Sequence, residues 1–256
     1  MKNPRVLLAG NLLLMFALGA CARKAPSGQV QGYVEGEFVY VSSPLAGVVT
    51  KLAVRRGDQV TEEQPLFDLD STMEKAARDQ ARTALTLSEA EFARQEKLFR
   101  AGPAAAQDFD RAKSTRDQDR DRLAQAEWSL AQKHQDAPKA GLIYDTLFRE
   151  GEWVAAGKPV VMLLPPPNIK VRAFVPETMI GSLRIGQNAR VTIDGVSGSA
   201  EGRISYLSTR AEFTPPVIYS RESRSKLVFM VEITFAPEVA EKLHPGQPVD
   251  VSFASS

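Results

Sequence analysis

Asp68, Asp70 and Glu74 crowd into seven consecutive positions, the kind of carboxylate cluster that in another setting could divide into a general acid and a general base. Their setting offers a plainer role. They stand where a short apolar run gives way to a helix-favouring stretch, and the backbone dipole alone favours acids at a helix N-terminus. The two histidines fall one in that stretch, His134, and one in a loop before Pro245, His244. They make neither a metal pair nor a triad, and both are expected at the surface. No glycine-rich loop closes on Lys-Ser or Lys-Thr, so the chain is not expected to hydrolyse ATP itself. No catalytic, cofactor-binding or metal-ligating residue is expected, and the chain is read as no enzyme.

The composition is that of an ordinary globular protein. The chain has 256 residues, 43% hydrophobic and 25% charged, enough for two small globular domains or one with an extension. The net charge is +1, with acids and bases interleaved, so no field gathers nucleic acid and none is expected as a partner. The single cysteine, Cys21, excludes an intramolecular disulfide and a cysteine cluster for zinc or iron–sulfur.

Lys2 and Arg5 precede a nearly unbroken apolar run from Val6 to Ala20, which suits a secretory signal and is short for a spanning helix. The run ends in Leu18, Gly19, Ala20 and Cys21, which resembles the lipobox of bacterial lipoproteins. That resemblance implies a signal peptide over residues 1–20 and a diacylglycerol on Cys21 as the mature amino terminus. A buried, incidental cysteine is the alternative. Ala22 is not the aspartate that usually signals inner-membrane retention.

Displacing the chain by 94 positions aligns Pro44, Ala46, Gly47, Arg55, Gly57, Val60, Pro65 and Leu69 with Pro138, Ala140, Gly141, Arg149, Gly151, Val154, Pro159 and Leu163. Each copy predicts short strands punctuated by Gly and Pro, with Gly57 and Gly151 at turns that need a positive φ. Units this small do not fold singly, so two sheets around one core are expected. Between the copies, residues 71–136 are rich in Ala, Gln, Glu, Asp and Arg, a helical mixture. Ser71 and Glu74 match a capping box, and Gly102 and Pro103 divide helices over 72–100 and 106–135. Leu85, Phe92 and Phe99, then Phe109, Ala112, Leu123, Ala126 and Leu130, fit an antiparallel seam that also contains Arg116 and Asp119. The hairpin is expected to project, since no broad apolar stripe is left to lie on the body.

From Ile169 the pattern returns to strands: Ile169 to Val175, Ala189 to Ile193, Gly202 to Leu207, Leu227 to Phe235 and Pro248 to Phe253, with a short helix over Pro176 to Leu183. A small antiparallel barrel is expected.

The repeat resembles the lipoyl/biotinyl half-motif. Two such halves split by a long helical insertion, followed by Val175-Pro-Glu-Thr-Met-Ile-Gly-Ser-Leu-Arg-Ile-Gly-Gln and Pro245-Gly-Gln-Pro-Val-Asp-Val251, resemble the HlyD-type membrane fusion proteins, or periplasmic adaptors. The fold so implied is mainly β with an inserted α-helical hairpin: a split lipoyl-like β-sandwich over 41–70 plus 137–166, a coiled-coil hairpin over 71–136 and a β-barrel over 167–256, with 21–40 as a linker. The function implied is that of an adaptor in a tripartite efflux or secretion system, lipid-anchored in the periplasm at the inner membrane. Its implied partners are an inner-membrane ABC-type transporter, a TolC-like outer-membrane channel and further copies of itself in a ring of six.

The family's channel motif at the hairpin tip maps onto Arg94, Leu98 and Ala105, where the alanine replaces a serine. Phe213, Pro215, Pro216, Arg221 and Arg224 form a loop that either contacts the pump or is a Pro-stiffened hairpin connection. The chain's end soon after Val251 favours an ATP-driven partner. In carriers of this fold the modified lysine sits where the helical insert stands here. Lys51 and Lys158 lie within the repeats, are expected to be solvated, and no cofactor is expected. The competing readings are a lipoyl/biotinyl carrier and a substrate-binding lipoprotein.

Overall fold

The computed structural model describes residues 29–102, 106–193, 198–213 and 227–254. They divide into two units. One spans Gly36–Ile169 with Ala240–Lys242; the other takes in the described residues up to Glu35, Lys170–Val239 and those from Leu243 onward. The fold is mainly β with an inserted helical hairpin, as expected.

Strand β1 (Gln29–Gly36) belongs to the second unit; the first unit begins with β2 (Val39–Ser42). The strands that follow are β3 (Gly47–Leu52), β4 (Gln59–Val60), β5 (Pro65–Leu69), β6 (His134–Asp136), β7 (Gly141–Thr146), β8 (Trp153–Val154) and β9 (Pro159–Leu164). They make two four-stranded sheets, ordered β2-β9-β7-β4 and β6-β5-β3-β8. The displacement of 94 carries β3, β4 and β5 onto β7, β8 and β9.

The short strands exchange between the halves, β4 pairing with β7 and β8 with β3. The turns exchange likewise. The Gly57 amide donates to the Ile143 carbonyl and the Gly151 amide to the Val49 carbonyl, both at 2.8 Å. Gly57 and Gly151 take φ of 95° and 89°, the left-handed conformation expected of them. Neither half can therefore complete its sheets alone. The core between them, with Val49, Leu66, Phe67, Ile143, Val160 and Leu163 almost wholly buried, draws on both. Each such side chain contributes about 1.5–3 kcal/mol through burial.

The repeat predicts unequal sensitivity at its two equivalent glycines. A Cβ on Gly141 would lie 2.7 Å from the Leu164 carbonyl oxygen, which is backbone and cannot move aside. On Gly47 it would meet the Lys133 ammonium at 3.2 Å and Leu69 Cβ at 3.3 Å. Gly141→Ala is expected to cost about 1–3 kcal/mol, as overpacking does, and Gly47→Ala clearly less. Equal losses of melting temperature would contradict this account of the packing.

Helix α1 (Thr72–Arg100) and helix α2 (Ala106–Ala131) have 29 and 26 residues, on the order of 40 Å each at ~1.5 Å per residue. They pack chiefly against each other. The capping box does not form, because Ser71 makes no side-chain bond. Asp70 takes its place: its Oδ1 accepts from the Thr72 amide at 3.1 Å and the Thr72 hydroxyl at 2.7 Å. Those two bonds hold the Asp70 carboxyl below its usual range. Glu74 turns instead to Lys133.

Near the tip, Phe109 packs against Phe92 and Phe99 with ring centroids 5.5 and 5.1 Å away, and the Arg116 guanidinium lies 4.0 Å over the Phe92 ring. The seam's polar members are thus given partners: Arg116 has Phe92 and Asp117, and the buried Asp119 has Arg122 at 2.9 Å.

The return helix, expected to reach 135, ends at Ala131, and residues 134–136 peel away as β6 against β5. The hairpin domain expected over 71–136 is corrected accordingly. His134, Gln135 and Asp136 carry no apolar residue to mark a strand, because β6 is an edge held through its backbone.

The second unit is a closed six-stranded barrel ordered β1-β10-β13-β12-β11-β14. It is completed by β10 (Ile169–Pro176), β11 (Asn188–Ile193), β12 (Ser199–Phe213), β13 (Leu227–Thr234) and β14 (Pro248–Phe253). The expected linker over 21–40 is therefore corrected: Gln29–Gly36 is a barrel strand paired with β14, and Val39–Ser42 is a sandwich strand paired with β9. Val30 and Val34 face inward, but Gly32 stands between them and interrupts the apolar alternation that marks a half-buried strand.

Helices α3 (Glu177–Ile180) and α4 (Pro237–Ala240) are single turns, and α3 is shorter than the 176–183 expected. Each leads to a matching turn. The Arg184 amide donates to Gln187 Oε1 and the His244 amide to Gln247 Oε1, both at 3.0 Å, and Gly186 and Gly246 take φ of 85° and 91°. The barrel is thus a second internal duplication, with Leu183, Gly186 and Gln187 recurring sixty positions on as Leu243, Gly246 and Gln247. Among the described residues no helix is long and apolar enough to cross a membrane.

Candidate functional site

The acidic cluster at the start of the hairpin is built into its root. Lys133, almost wholly buried, donates to the Ala46 carbonyl at 2.7 Å and pairs with Glu74 at 3.0 Å. The Ser43 hydroxyl donates to the Gln132 carbonyl at 2.8 Å, and the Leu69 amide donates to the Lys133 carbonyl at the same distance. His134 stands between Asp68 and Asp136. Asp68, Asp70 and Glu74 therefore each serve a local contact, and the root fixes both helices to the sandwich. Lys133 was not singled out in the sequence; its signal, a lysine aligned with no repeat position, is too faint to find there. Lys51 and Lys158 are exposed, as expected.

Farther up α1, Arg94 and Leu98 lie on the open face of the helix. The Arg94 side chain is 68% exposed, and its ion pair to Glu91 at 2.7 Å is of the exposed kind worth about 0.3–0.5 kcal/mol. Leu98 is 41% exposed. Leu87, not singled out in the sequence, is 74% exposed and precedes Arg94 by seven residues and Leu98 by eleven. That spacing puts the three on one helix face. Such a face presents a planar set of donors between two unburied leucines.

The remaining candidates lie outside the described residues: Cys21 with the signal segment, Ala105, Pro215, Pro216, Arg221 and Arg224. The backbone of Phe213 closes β12, where it pairs with Leu227. Among the described residues no group of three metal-ligating side chains converges.

A lipoyl-like sandwich interrupted by a helical hairpin and joined to a barrel of this topology is the fold of the membrane fusion, or periplasmic adaptor, proteins. A chimera of MacA carrying the Pseudomonas aeruginosa MexA α-hairpin superposes with a TM-score of 0.74 at 19% identity, over 89% of this chain and 81% of its own. The membrane fusion protein Spr0693 of Streptococcus pneumoniae superposes with a TM-score of 0.68 at 19% identity, over 90% of this chain and 100% of its own.

Among sequences, a UPF0194 membrane protein of Acidithiobacillus ferridurans is 30% identical over 181 residues, 69% of this chain. The chain spans about half of that protein's length, 53%. A UPF0194 membrane protein of Enterobacter sp. (strain 638) is 28% identical over 99% of this chain and 98% of its own. No family model matches the chain.

Proposed function

We propose that this chain is a periplasmic adaptor of the HlyD type, a non-enzymatic subunit of a tripartite efflux or secretion system that links an inner-membrane ABC-type transporter to a TolC-like outer-membrane channel. The observation that carries this reading is the rooting of a long helical hairpin in the β5–β6 turn of the sandwich, by way of Lys133, Glu74 and Ser43. A carrier domain needs that turn for its modified lysine, so the same observation weighs against the carrier reading. The fold shared with membrane fusion proteins supports the adaptor role. The lipobox-like sequence ending at Cys21 supports a lipid anchor, placed at the inner membrane. The duplicated barrel and the segment of Phe213, Pro215, Pro216, Arg221 and Arg224 are assigned to the transporter, the face of Leu87, Arg94 and Leu98 with Ala105 to the channel, and six copies to the ring.

Affinity purification of the full-length protein from crosslinked membranes tests this assignment. It is expected to bring down an inner-membrane ATP-driven permease, with a mature chain carrying diacylglycerol on Cys21. A chain carrying biotin or lipoate on a lysine, with no transporter, would overturn it.

A further inference from the structure

His134 is the first residue of β6, where the return helix hands the chain back to the sandwich. Both ring nitrogens face carboxylates: Nδ1 meets Asp68 Oδ1 on β5, and Nε2 lies 2.9 Å from Asp136 Oδ1 on its own strand. A neutral imidazole has one N–H and can donate to one of them; only the imidazolium donates to both. The crevice beside it, about 560 Å³, is also lined by Asp70, Lys75 and Lys133. Asp70 is engaged by Thr72, and Lys133 by Ala46 and Glu74, while Lys51 stands opposite Asp68 in the β3–β5 register. Strand β6 has three residues and a single neighbour, β5. It is the shorter and the less paired of the two strands that carry the hairpin.

We propose that His134 is a proton-operated latch at the hairpin root: as an imidazolium it bridges Asp68 and Asp136 and holds β6, and with it the end of α2, on the sandwich. When the proton leaves to solvent, one of the two carboxylates loses its donor and the attachment loosens. The hydrogen bond to Asp68 raises the His134 pKa above its ordinary 6.5 against the opposing effect of partial burial, and the Asp136 charge adds to the rise. A group whose pKa is raised by folding stabilises fully below its unfolded value and loses that contribution as pH climbs through the folded one. The latch is therefore closed in acid and opens toward alkaline pH, so the hairpin is held most firmly in an acidified compartment.

Amide hydrogen exchange of β6 in the purified full-length protein, corrected for intrinsic rates between about pH 6 and about pH 9, reads the latch while NMR follows the imidazole. Protection of β6 is expected to fall several-fold as His134 titrates. His134→Gln should show the lower protection at every pH, and Asp136→Asn should move the transition to lower pH. Titration of His134 at or below pH 6.5, or a wild-type β6 protection that follows the same pH course in both variants, would overturn the proposal. The latch is a property of this chain alone, so its failure would leave the adaptor reading untouched.

Discussion

Excising residues 71–132 and joining Asp70 to Lys133 through an Asn-Gly turn is expected to leave a folded β-sandwich and to abolish export. The Asp68 and His134 backbones are partners across β5 and β6, so the two strands already form a hairpin whose turn is the helical insert. A two-residue Asn-Gly connection suits such strands. The core of Val49, Leu66, Phe67, Ile143, Val160 and Leu163 owes nothing to the helices. The excision does take Glu74 from Lys133 and the Gln132 carbonyl from Ser43, and polar groups left unpaired in this way cost about 1–3 kcal/mol. A lowered melting temperature with intact β signal and no helical signal is the expected result, with export at the level of cells lacking the protein. A chain that cannot fold would mean that the halves do not complete one another as their exchanged strands imply. Retained export would remove the hairpin from the mechanism.

The second large effect is expected from Arg94→Asp combined with Leu98→Glu. Both side chains are exposed, Arg94 the more so, and neither is among the ring contacts of Phe92, Phe99 and Phe109. Substitutions at such positions usually change stability by no more than about 0.5 kcal/mol. The new aspartate loses the pair with Glu91 and repels it, which stays a surface effect. Binding behaves differently, since a reversed charge and a buried carboxylate at a contact cost several kcal/mol. Export should fall to background with helicity and oligomeric state unchanged. Leu87→Glu should weaken export less, because it stands farther from the tip. Unchanged export in the double variant would take this face out of the contact and leave the hairpin as a spacer.

The sandwich could be recognised in the sequence because its duplication is gapless: the apolar residues and turn glycines recur at a fixed displacement, and periodicity survives where single short strands are ambiguous. Helix α1 could be delimited to the residue, since a strand ending at Leu69 and the Gly102-Pro103 break bracket it. Features with a weak periodic signal or none are not legible in the sequence. Strand β1 hides its alternation at Gly32, and β6 is all polar. The barrel's duplication keeps a displacement of sixty, but few identities mark it, among them Val171, Leu183, Gly186, Gln187 and Val191. At the hairpin start the capping-box pattern pointed to Ser71, but Asp70 sits one residue earlier with a carboxylate able to accept both bonds from Thr72. In the sequence the helix dipole alone accounts for the acids, whereas Glu74 and Asp68 are committed to Lys133 and His134, partners some sixty residues distant that only the folded root brings near. Resemblance points to Arg94 and Leu98 on the open face of α1, whereas Leu87 is distinguished only by its exposure.

If the hairpin reaches an outer-membrane channel as proposed, photo-crosslinking in living cells from a photoreactive residue replacing Leu98 reads that contact. The expected result is a light-dependent adduct with an outer-membrane channel protein that disappears when Arg94→Asp is added. Adducts confined to inner-membrane or soluble proteins, with export intact, would contradict the claim.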